Sequence, residues 1–275
     1  MIKLFHEMPL AMLQAGAETA LADGHYALVH MYEKSDDYFL HSVKTLRSGR
    51  DVILDNSIFE LGEAFDTEEF VFWIKKLEAY VERLTLDEHL VYIIPDVLDD
   101  KDATLASARS FVSRYEDLPG RKMMVVQGKT YAELIQCYHE LSDLNPDRIG
   151  ISFNCEAYNR ENQEAAILNW MVGRTKFISM LLEEYAGELP VRLHLLGCSL
   201  PQEFKLYGPG TREFIRSIDT SNPVVHGIYK VPYTVNGLDD KLSIKLVELF
   251  DTTPDPIALA TIEYNCKLFR SFVNG

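Results

Sequence analysis

The sequence predicts an α/β protein of the (β/α)8 TIM-barrel class, with a doubly wound sheet as the runner-up fold. About eight short apolar segments alternate along the chain with helical patterns, which is typical of βαβ units and a parallel sheet. Eight such units suit a chain of 275 residues. Neither the G-x-G-x-x-G motif nor the G-x-x-x-x-G-K-S/T motif of nucleotide-binding doubly wound sheets occurs. Because no linker or low-complexity tract interrupts the pattern, we expect one domain spanning residues 1–275.

Strands are predicted where apolar runs are bounded by turn residues, at residues 26–32, 52–56, 90–97, 122–128, 148–152, 191–198, 218–219 and 224–229. The run at residues 52–54 leads directly into Asp55, which indicates a buried strand that delivers a carboxylate to its carboxyl end. Helical spacing of apolar residues predicts helices at residues 36–46, 66–81, 105–115, 130–141, 161–185, 201–204, 211–217, 239–250 and 256–272. Asp66, Thr130 and the pair Asp99-Asp100 are the predicted N-caps.

The composition is that of an ordinary globular protein, with 47% hydrophobic and 25% charged residues. No apolar run approaches the roughly 18 residues of a membrane span, and residues 1–7 lack the apolar region of a signal peptide. We therefore expect a cytoplasmic protein with no membrane partner. The cysteines have neither metal-finger nor redox spacing, and we expect them to be reduced and mostly buried.

The residues at the predicted strand ends have polar or minimal side chains: Asp55, Asp96, Gln127, Gly150, Gly197 and Asp219. In a barrel of parallel strands these positions converge on one face. Three carboxylates and an amide, beside glycines that let a flat ligand approach, predict a binding or catalytic site there. His194 falls in the middle of a predicted strand and is interpreted as a packing histidine of the interior.

Five segments resemble the tRNA-guanine transglycosylases, TIM barrels that exchange guanine for a 7-deazaguanine. Residues 55–60 read D-N-S-I-F-E, where the family has D-S-G-G-F/Y-Q, so the acid and the aromatic keep their spacing and both glycines are lost. Residues 126–128 match its V-Q-G, residues 150–152 its G-G-L, residues 194–201 its Y-L-M-G-V-G-x-P, and residues 218–223 keep its D-x-x-x-P spacing. The matches occur in the family's order and cover residues 52–223.

The sequence departs from the tRNA enzymes in one respect, which indicates the branch of the family that it resembles most. The tRNA enzymes hold a structural zinc with C-x-C-x-x-C and a distal histidine, whereas this chain has only Cys266 after Asp219. It is also shorter than those enzymes. Both features are similar to the abbreviated, phage-type branch that modifies DNA, the 7-deazaguanine DNA transglycosylases.

The resemblance implies roles for individual residues. Asp219 would be the nucleophile that forms a covalent glycosyl ester, and Asp55 would transfer protons to and from the exchanged bases. The residues implied in base binding are Asp96, Gln127, Phe59, Gly150, Ile151, Leu196 and Gly197. The implied partners are guanine-containing DNA, flipped or single-stranded at the target, and a 7-deazaguanine base such as 7-cyano-7-deazaguanine (preQ0). No cofactor and no metal are expected.

Three alternatives remain open. A tRNA in place of DNA would leave the chemistry unchanged, and the missing zinc segment disfavours it. A nucleobase-binding barrel without turnover would explain the lost glycines beside Asp55. An unrelated barrel lyase or hydrolase could use the same acids with a metal. The formal net charge of −15 opposes simple capture of nucleic acid by a basic face, so DNA binding would need a small basic rim or a basic partner.

Overall fold

The structure is a computed structural model that describes residues 1–63, 65–160, 165–238, 240–242 and 244–275. Eight parallel strands form one closed barrel in the order of the chain. This confirms the (β/α)8 class and excludes the doubly wound alternative, whose sheet is open.

The strands are β1 (Lys3–Phe5), β2 (Gly24–Leu28), β3 (Asp51–Asp55), β4 (Leu90–Ile93), β5 (Arg121–Val125), β6 (Arg148–Ser152), β7 (Leu193–Leu196) and β8 (Ile215–Asp219). The described α-helices are α1 (Leu10–Gln14), α2 (Glu18–Leu21), α3 (His30–Lys34), α4 (Asp36–Arg47), α5 (Ile58–Leu61), α6 (Thr67–Glu78), α7 (Arg83–His89), α8 (Lys101–Arg114), α9 (Tyr131–Ser142), α10 (Ala166–Glu184), α11 (Pro209–Phe214), α12 (Asn222–Ile228) and α13 (Pro256–Asn274). Short 3-10 helices occur at Glu156–Arg160, Pro201–Lys205 and Leu246–Leu249.

Residues 24–150 form one of two compact units. Its strands pair in parallel from β2 to β6. Outside the strands, an aromatic cluster joins α3, α4 and α6, with ring centroids of Tyr32, Phe39 and Trp73 5.3 to 5.6 Å apart. Such tilted and edge-to-face contacts add about 0.5–1.5 kcal/mol per pair to the burial of the rings. The apolar face predicted for α6 is thus the face that packs.

Residues 1–23 and 151–275 form the other compact unit. In it β8 pairs with β1 and with β7, so that Phe5 lies opposite Asp219 and His194 opposite Ser217. The buried Asn265 of α13 donates its side-chain amide to the carbonyls of Pro223 and Val231, which ties α13 to the segment after β8.

The N-caps predicted from the sequence are confirmed for three helices. The Asp66 carboxylate accepts from the N–H of Glu69 at 2.9 Å, and the Asp100 carboxylate accepts from the N–H of Ala103 at 2.9 Å. The Thr130 hydroxyl accepts from the N–H of Glu133 at 3.2 Å. These are N-cap bonds, each of which stabilises a helix by roughly 1 kcal/mol.

One predicted strand is wrong and one observed strand was not predicted, so the number of strands stays at eight. Residues 224–229 belong to the helix α12, because Pro223 occupies its first turn, where a proline favours helix, and the apolar run is buried as a helix face. The strand that completes the barrel is instead β1, which was not predicted. Its three residues carry no alternating pattern and are extended because they pair with β8.

Several boundaries differ from the prediction. The segment predicted as a strand at residues 26–32 is a strand only as far as Leu28, and α3 follows it. The strand predicted at residues 90–97 ends at Ile93, shortly before Pro95, which has no N–H to donate to a neighbouring strand. Residues 215–217, expected in a helix, begin β8. The helix expected at 161–185 is observed as α10, and its first residues, 161–164, lie outside the described residues. The helix expected at 239–250 is wrong where it can be judged, since only residues 246–249 form a 3-10 turn and positions 239 and 243 are not described.

The four cysteines are free and buried, as expected. None of the described helices is long and apolar enough to cross a membrane.

Candidate active site

The carboxylate of Asp55 stands at the end of β3, as predicted, and is held through both oxygens. The hydroxyl of Tyr26, on β2, donates to Oδ2 at 2.5 Å, and the backbone N–H of Ser57 donates to Oδ1 at 2.5 Å. Ser57 reaches this position with a φ of 61°, in the left-handed region that favours glycine. Hydrogen bonds from two different elements therefore set the orientation of this carboxylate.

Asp96 follows β4 and is 3% exposed. Asn56 Nδ2 donates to its Oδ1 at 2.7 Å, and Gln127 Nε2 donates to its Oδ2 at 2.6 Å. The orientation of the Gln127 amide is set by its other end, where Oε1 accepts from the backbone N–H of Asp99 at 3.0 Å. The structure thus brings together two of the predicted base-binding residues, Asp96 and Gln127, and adds Asn56 to them.

Burial raises the pKa of Asp96, and the hydrogen bonds from Asn56 and Gln127 offset part of this effect. No positive charge among the described residues contributes to the electrostatic environment of this carboxylate. A carboxylate offers about four acceptor positions. The two amides use two of them, and the backbone N–H of Asp96 also bonds this carboxylate. The acceptor capacity that is left suits a ligand with N–H donors, and carboxyl groups with a perturbed pKa are candidates for functional sites.

Phe59 lies on α5, directly after Ser57 and Ile58, and its side chain is 53% exposed. A half-exposed aromatic side chain four positions after Asp55 in the chain is a suitable platform for a flat ligand.

The end of β6 is less available than predicted. The carbonyl of Gly150 accepts from the N–H of Val126 at 3.1 Å. The carbonyl of Ile151 accepts from Arg174 Nη1 at 3.2 Å. Contacts of Gly150 and Ile151 with a base therefore stay predictions, and these two carbonyls already have protein donors.

Asp219, at the end of β8, is held by a dense set of donors. The backbone N–H of Gly197 lies 3.1 Å from both carboxylate oxygens, and His194 Nε2 lies 3.0 Å from Oδ1. Gly197 has a φ of 61°, which a residue without a Cβ adopts at little cost. The structure thus brings together Asp219 and Gly197, and Leu196 directly precedes Gly197 at the end of β7.

His194 connects Asp219 to Ser217. Its Nδ1 lies 2.7 Å from the hydroxyl oxygen of Ser217, and its Nε2 faces Asp219. The Asp219 carboxylate accepts this hydrogen bond, so Nε2 carries the proton that is donated to it. The order serine, histidine, aspartate is that of a nucleophilic triad, but Ser217 is fully buried within β8. His194 therefore hydrogen-bonds the carboxylate of Asp219 at the end of β8, and the bond to Ser217 orients the His194 ring.

Three of these residues were not predicted as parts of a site. His194 was predicted to be a packing residue of the interior, and its burial is confirmed, but the sequence pattern does not indicate its bond to Asp219. Ser217 was predicted in a helix, and Asn56 only at the end of a strand. One signal was present, because Ser217 and Asp219 are two positions apart, a spacing that puts both side chains on one face once the segment is a strand.

The lysines around the strand ends differ in their environments. Lys230 pairs with Asp255 at 2.6 Å. The Nζ of Lys241 lies 3.5 Å from the hydroxyl oxygen of Ser199, two residues after Gly197, and 5.9 Å from the ring centroid of Trp170. Burial lowers the pKa of Lys241.

Cys198, beside Gly197, is buried, and burial raises the pKa of its thiol strongly. A thiol that resists ionisation is a poor nucleophile, which agrees with leaving it out of the catalytic assignment.

Comparison with known proteins supports the fold. No protein-family model matches the sequence, and no curated protein matches it significantly. Among solved structures, the chain is similar to a putative fructose-1,6-biphosphate aldolase from Coccidioides immitis, with a TM-score of 0.53 and 14% identity over 98% of this chain and 91% of that one. It is also similar to a phosphoenolpyruvate phosphomutase from Streptomyces platensis subsp. rosaceus, with a TM-score of 0.47 and 10% identity over 84% of this chain and 79% of that one. At such identities the first similarity concerns the barrel fold alone.

Proposed function

We propose that this chain is an enzyme, a transglycosylase that exchanges guanine in DNA for a 7-deazaguanine base. The observation that carries the proposal is the environment of Asp96, a buried carboxylate after the end of a strand that two side-chain amides bond and that no cation among the described residues pairs with. Guanine and 7-deazaguanines present an N1–H and a 2-amino group side by side, and such adjacent donors are recognised by the acceptor oxygens of a carboxylate.

Gln127 complements this recognition. A side-chain amide nitrogen has two hydrogens, and in Gln127 one of them is directed to Asp96. The second is available for the carbonyl oxygen of the base, which neighbours N1. A base that satisfies both Asp96 and Gln127 must carry donor, donor and acceptor groups along one edge, which excludes adenine.

Asp219 is the proposed nucleophile. One of its oxygens attacks C1′ of the target deoxyguanosine, the bond from C1′ to O forms, and the bond from C1′ to N9 breaks with its electrons going to guanine. The incoming 7-deazaguanine then attacks C1′ through its own N9, and the ester bond breaks to restore the Asp219 carboxylate. The bonds from Gly197 and His194 hold the carboxylate in one rotamer for this displacement.

Asp55 is the proposed proton carrier. The departing guanine must gain a proton at N9, and the incoming base must lose one, so a single carboxyl group that alternates between the two states serves both half-reactions. The hydroxyl of Tyr26 and the N–H of Ser57 orient it. Ser57 replaces the first glycine of the motif in the resembled family and still adopts a left-handed conformation.

Phe59 and Leu196 are the proposed walls of the base site. Stacking on an aromatic side chain contributes about 1–3 kcal/mol per base. Unstacking the target nucleotide costs a few kcal/mol, so stacking on Phe59 would offset much of this cost. Gly150, Ile151 and Gly197 would border the base through backbone groups.

The proposed partner is DNA and the less favoured one is tRNA, because the chain has no counterpart of the zinc-binding segment of the tRNA enzymes. The net charge of −15 means that neutralisation of phosphates must be local, and Lys241 is a candidate for it.

The test is base exchange. Purified protein is incubated with guanine-containing DNA and radiolabelled 7-cyano-7-deazaguanine, with tRNA in a parallel reaction. We expect label in DNA, lost in Asp219→Asn and Asp55→Asn and retained in Asp66→Asn, a matched control in which an exposed helix cap changes. Label in tRNA alone would show that the nucleic-acid substrate is tRNA and would leave the proposed mechanism unchanged. Incorporation that persists in Asp219→Asn would refute Asp219 as the nucleophile.

A second candidate is a nucleobase-binding barrel without turnover. It is favoured by the loss of both motif glycines after Asp55, where Ser57 and Ile58 now stand. Calorimetric titration with guanine separates the two. Binding that depends on Asp96, together with no label in DNA or tRNA, would establish this candidate and exclude the transglycosylase.

A further inference from the structure

A fully buried ion pair lies behind the ends of β6 and β7. Arg174, on α10, donates from Nε to Oε1 of Glu203 at 2.7 Å and from Nη2 to Oε2 at 2.5 Å, and neither side chain is exposed. The hydroxyl of Tyr207 also donates to Oε1 of Glu203. Buried pairs of this kind contribute little net stability, because desolvation of both charges offsets their attraction. A contribution to stability therefore does not explain why this ion pair is buried here.

The remaining donors of Arg174 reach the strand ends. Nη1 donates to the carbonyl of Leu196 at 2.6 Å and to that of Ile151 at 3.2 Å, and Nη2 lies 3.2 Å from Sγ of Cys198. The guanidinium carbon is 4.8 Å from the centroid of the Phe153 ring. One rigid, planar group thus holds the carboxyl ends of two strands at fixed positions.

The bond to Leu196 has a direct consequence for Asp219. The carbonyl of Leu196 and the N–H of Gly197 belong to the same peptide unit, which is planar and trans, so the two groups point in opposite directions. Arg174 binds the carbonyl on one side, and Asp219 accepts the N–H on the other. Rotation of this peptide would turn the carbonyl oxygen toward the carboxylate and break bonds on both sides.

Close packing keeps Arg174 at this position. The preceding residue, Gly173, lies so near Tyr158 that a Cβ added there would come within 2.4 Å of the Cβ of that residue. Because α10 approaches the 3-10 helix Glu156–Arg160 this closely, the Arg174 side chain enters the interior at a defined depth.

We propose that Arg174, oriented by Glu203, is a positioning residue that sets the Leu196–Gly197 peptide so that its N–H binds Asp219. Its contribution to catalysis rests on the proposed function, whereas its control of the peptide does not. The role of the ion pair is then to fix the orientation of the Leu196–Gly197 peptide. Glu203 orients Arg174 and does not contact the substrate.

Two variants separate positioning from stability. Arg174→Met leaves the carboxylate of Glu203 buried without its cation and is expected to destabilise the protein strongly. The double variant Arg174→Met with Glu203→Met removes both charges, so it is expected to fold with a Tm near that of the wild type. Arg270→Met is the matched control in the same compact unit. Arg270 pairs with Asp23 at 3.0 Å, and its bonds among the described residues go to Asp23 and Leu21 rather than to the end of β7.

The first readout does not depend on activity. In amide hydrogen exchange followed by NMR, we expect the Gly197 N–H of the folded double variant to exchange at least tenfold faster than in the wild type and in Arg270→Met. Gly197 protection equal to that of the wild type would overturn the proposal, and would do so whether or not the protein exchanges bases.

The second readout is base exchange. We expect the double variant to lose about 10- to 100-fold in kcat with a smaller change in KM for the base. Arg174→Lys keeps the positive charge but loses the planar guanidinium with its several N–H donors, so its kcat should lie between those of the wild type and the double variant. Wild-type kcat in the folded double variant would show that the pair is merely structural. A wild-type protein without base exchange would refute the proposed function and leave the Gly197 experiment decisive for the positioning role.

Discussion

His194 Nε2 lies 3.0 Å from Oδ1 of Asp219, and the backbone N–H of Gly197 approaches both oxygens of the same carboxylate at 3.1 Å. Asp219 is therefore held by a side chain of β7 and by the first residue after that strand. A nucleophile must approach its target along one line, and fixing its rotamer in advance reduces the entropy lost on the way to the transition state. The hydrogen bonds to Asp219 are the feature on which the proposed chemistry most depends.

The first prediction concerns His194. We expect His194→Phe to lower kcat for base exchange by about 10- to 100-fold, because a hydrogen bond to a charged group is worth about 1.5–3 kcal/mol. Ser217→Ala removes the bond to Nδ1 and leaves the bond from Nε2 to Asp219, so it should cost less. Single-turnover kinetics of the covalent adduct measure both, and equal losses in the two variants would contradict a direct action of His194 on Asp219.

The second prediction concerns Asp96 and pH. Burial raises its pKa, so the folded protein binds this proton more tightly than the unfolded chain, in which the value is about 3.8. The contribution of Asp96 to the free energy of unfolding is therefore full below that value and lost as pH rises through the raised pKa. Urea unfolding of the wild type and of Asp96→Asn between pH 4 and 8 should show the wild type losing stability relative to the variant. A relative gain with rising pH would contradict the shift.

The same variant tests recognition. Replacement of the carboxylate of Asp96 by an amide places a donor where the base also donates, so guanine affinity should fall by at least tenfold. Calorimetric titration measures it, with Asp66→Asn as the control. Unchanged affinity would remove Asp96 from the base site.

The third prediction concerns His6, which follows β1. Its ring is buried, Nδ1 donates to the carbonyl of Thr220 at 3.1 Å, and burial lowers its pKa to about 4. The folded-state pKa lies below the unfolded value of 6.5, so the neutral ring contributes stability that is full above pH 6.5 and lost as pH falls toward 4. The loss amounts to about 3 kcal/mol. His6→Phe should be less stable than the wild type at pH 7 and should lack this part of the acid-dependent slope in urea unfolding; parallel curves would contradict it.

The fourth prediction concerns Lys241. If its ammonium contacts a phosphate of the bound strand, Lys241→Met should weaken DNA binding regardless of sequence and reduce the slope of log K against log salt by about 1. Fluorescence anisotropy at several salt concentrations measures this slope. Lys267→Met is the control, because Lys267 is exposed on α13 beside Glu263, and a similar change of slope in both variants would indicate a nonspecific effect of charge.

Much of the fold could be predicted because its signals are local. The apolar run before Asp55 and the cap bonds of Asp66 and Thr130 depend on residues within a few positions of one another. The exceptions are segments whose local pattern is ambiguous. Residues 224–229 are apolar and suit a helix or a strand equally, and β1 is extended only because β8 lies beside it.

The sequence by itself determined the alternation of strands and helices and the positions of Asp55, Asp96 and Asp219 near strand ends, because each follows from hydrophobic pattern along a short stretch of chain. Only the tertiary structure decided which groups surround those carboxylates. His194 meets Asp219 across 25 positions, Gln127 meets Asp96 across 31, and Arg174 meets Glu203 across 29. Partners so distant in sequence leave no periodic signal, since their contact arises from the pairing of strands and the packing of helices on them.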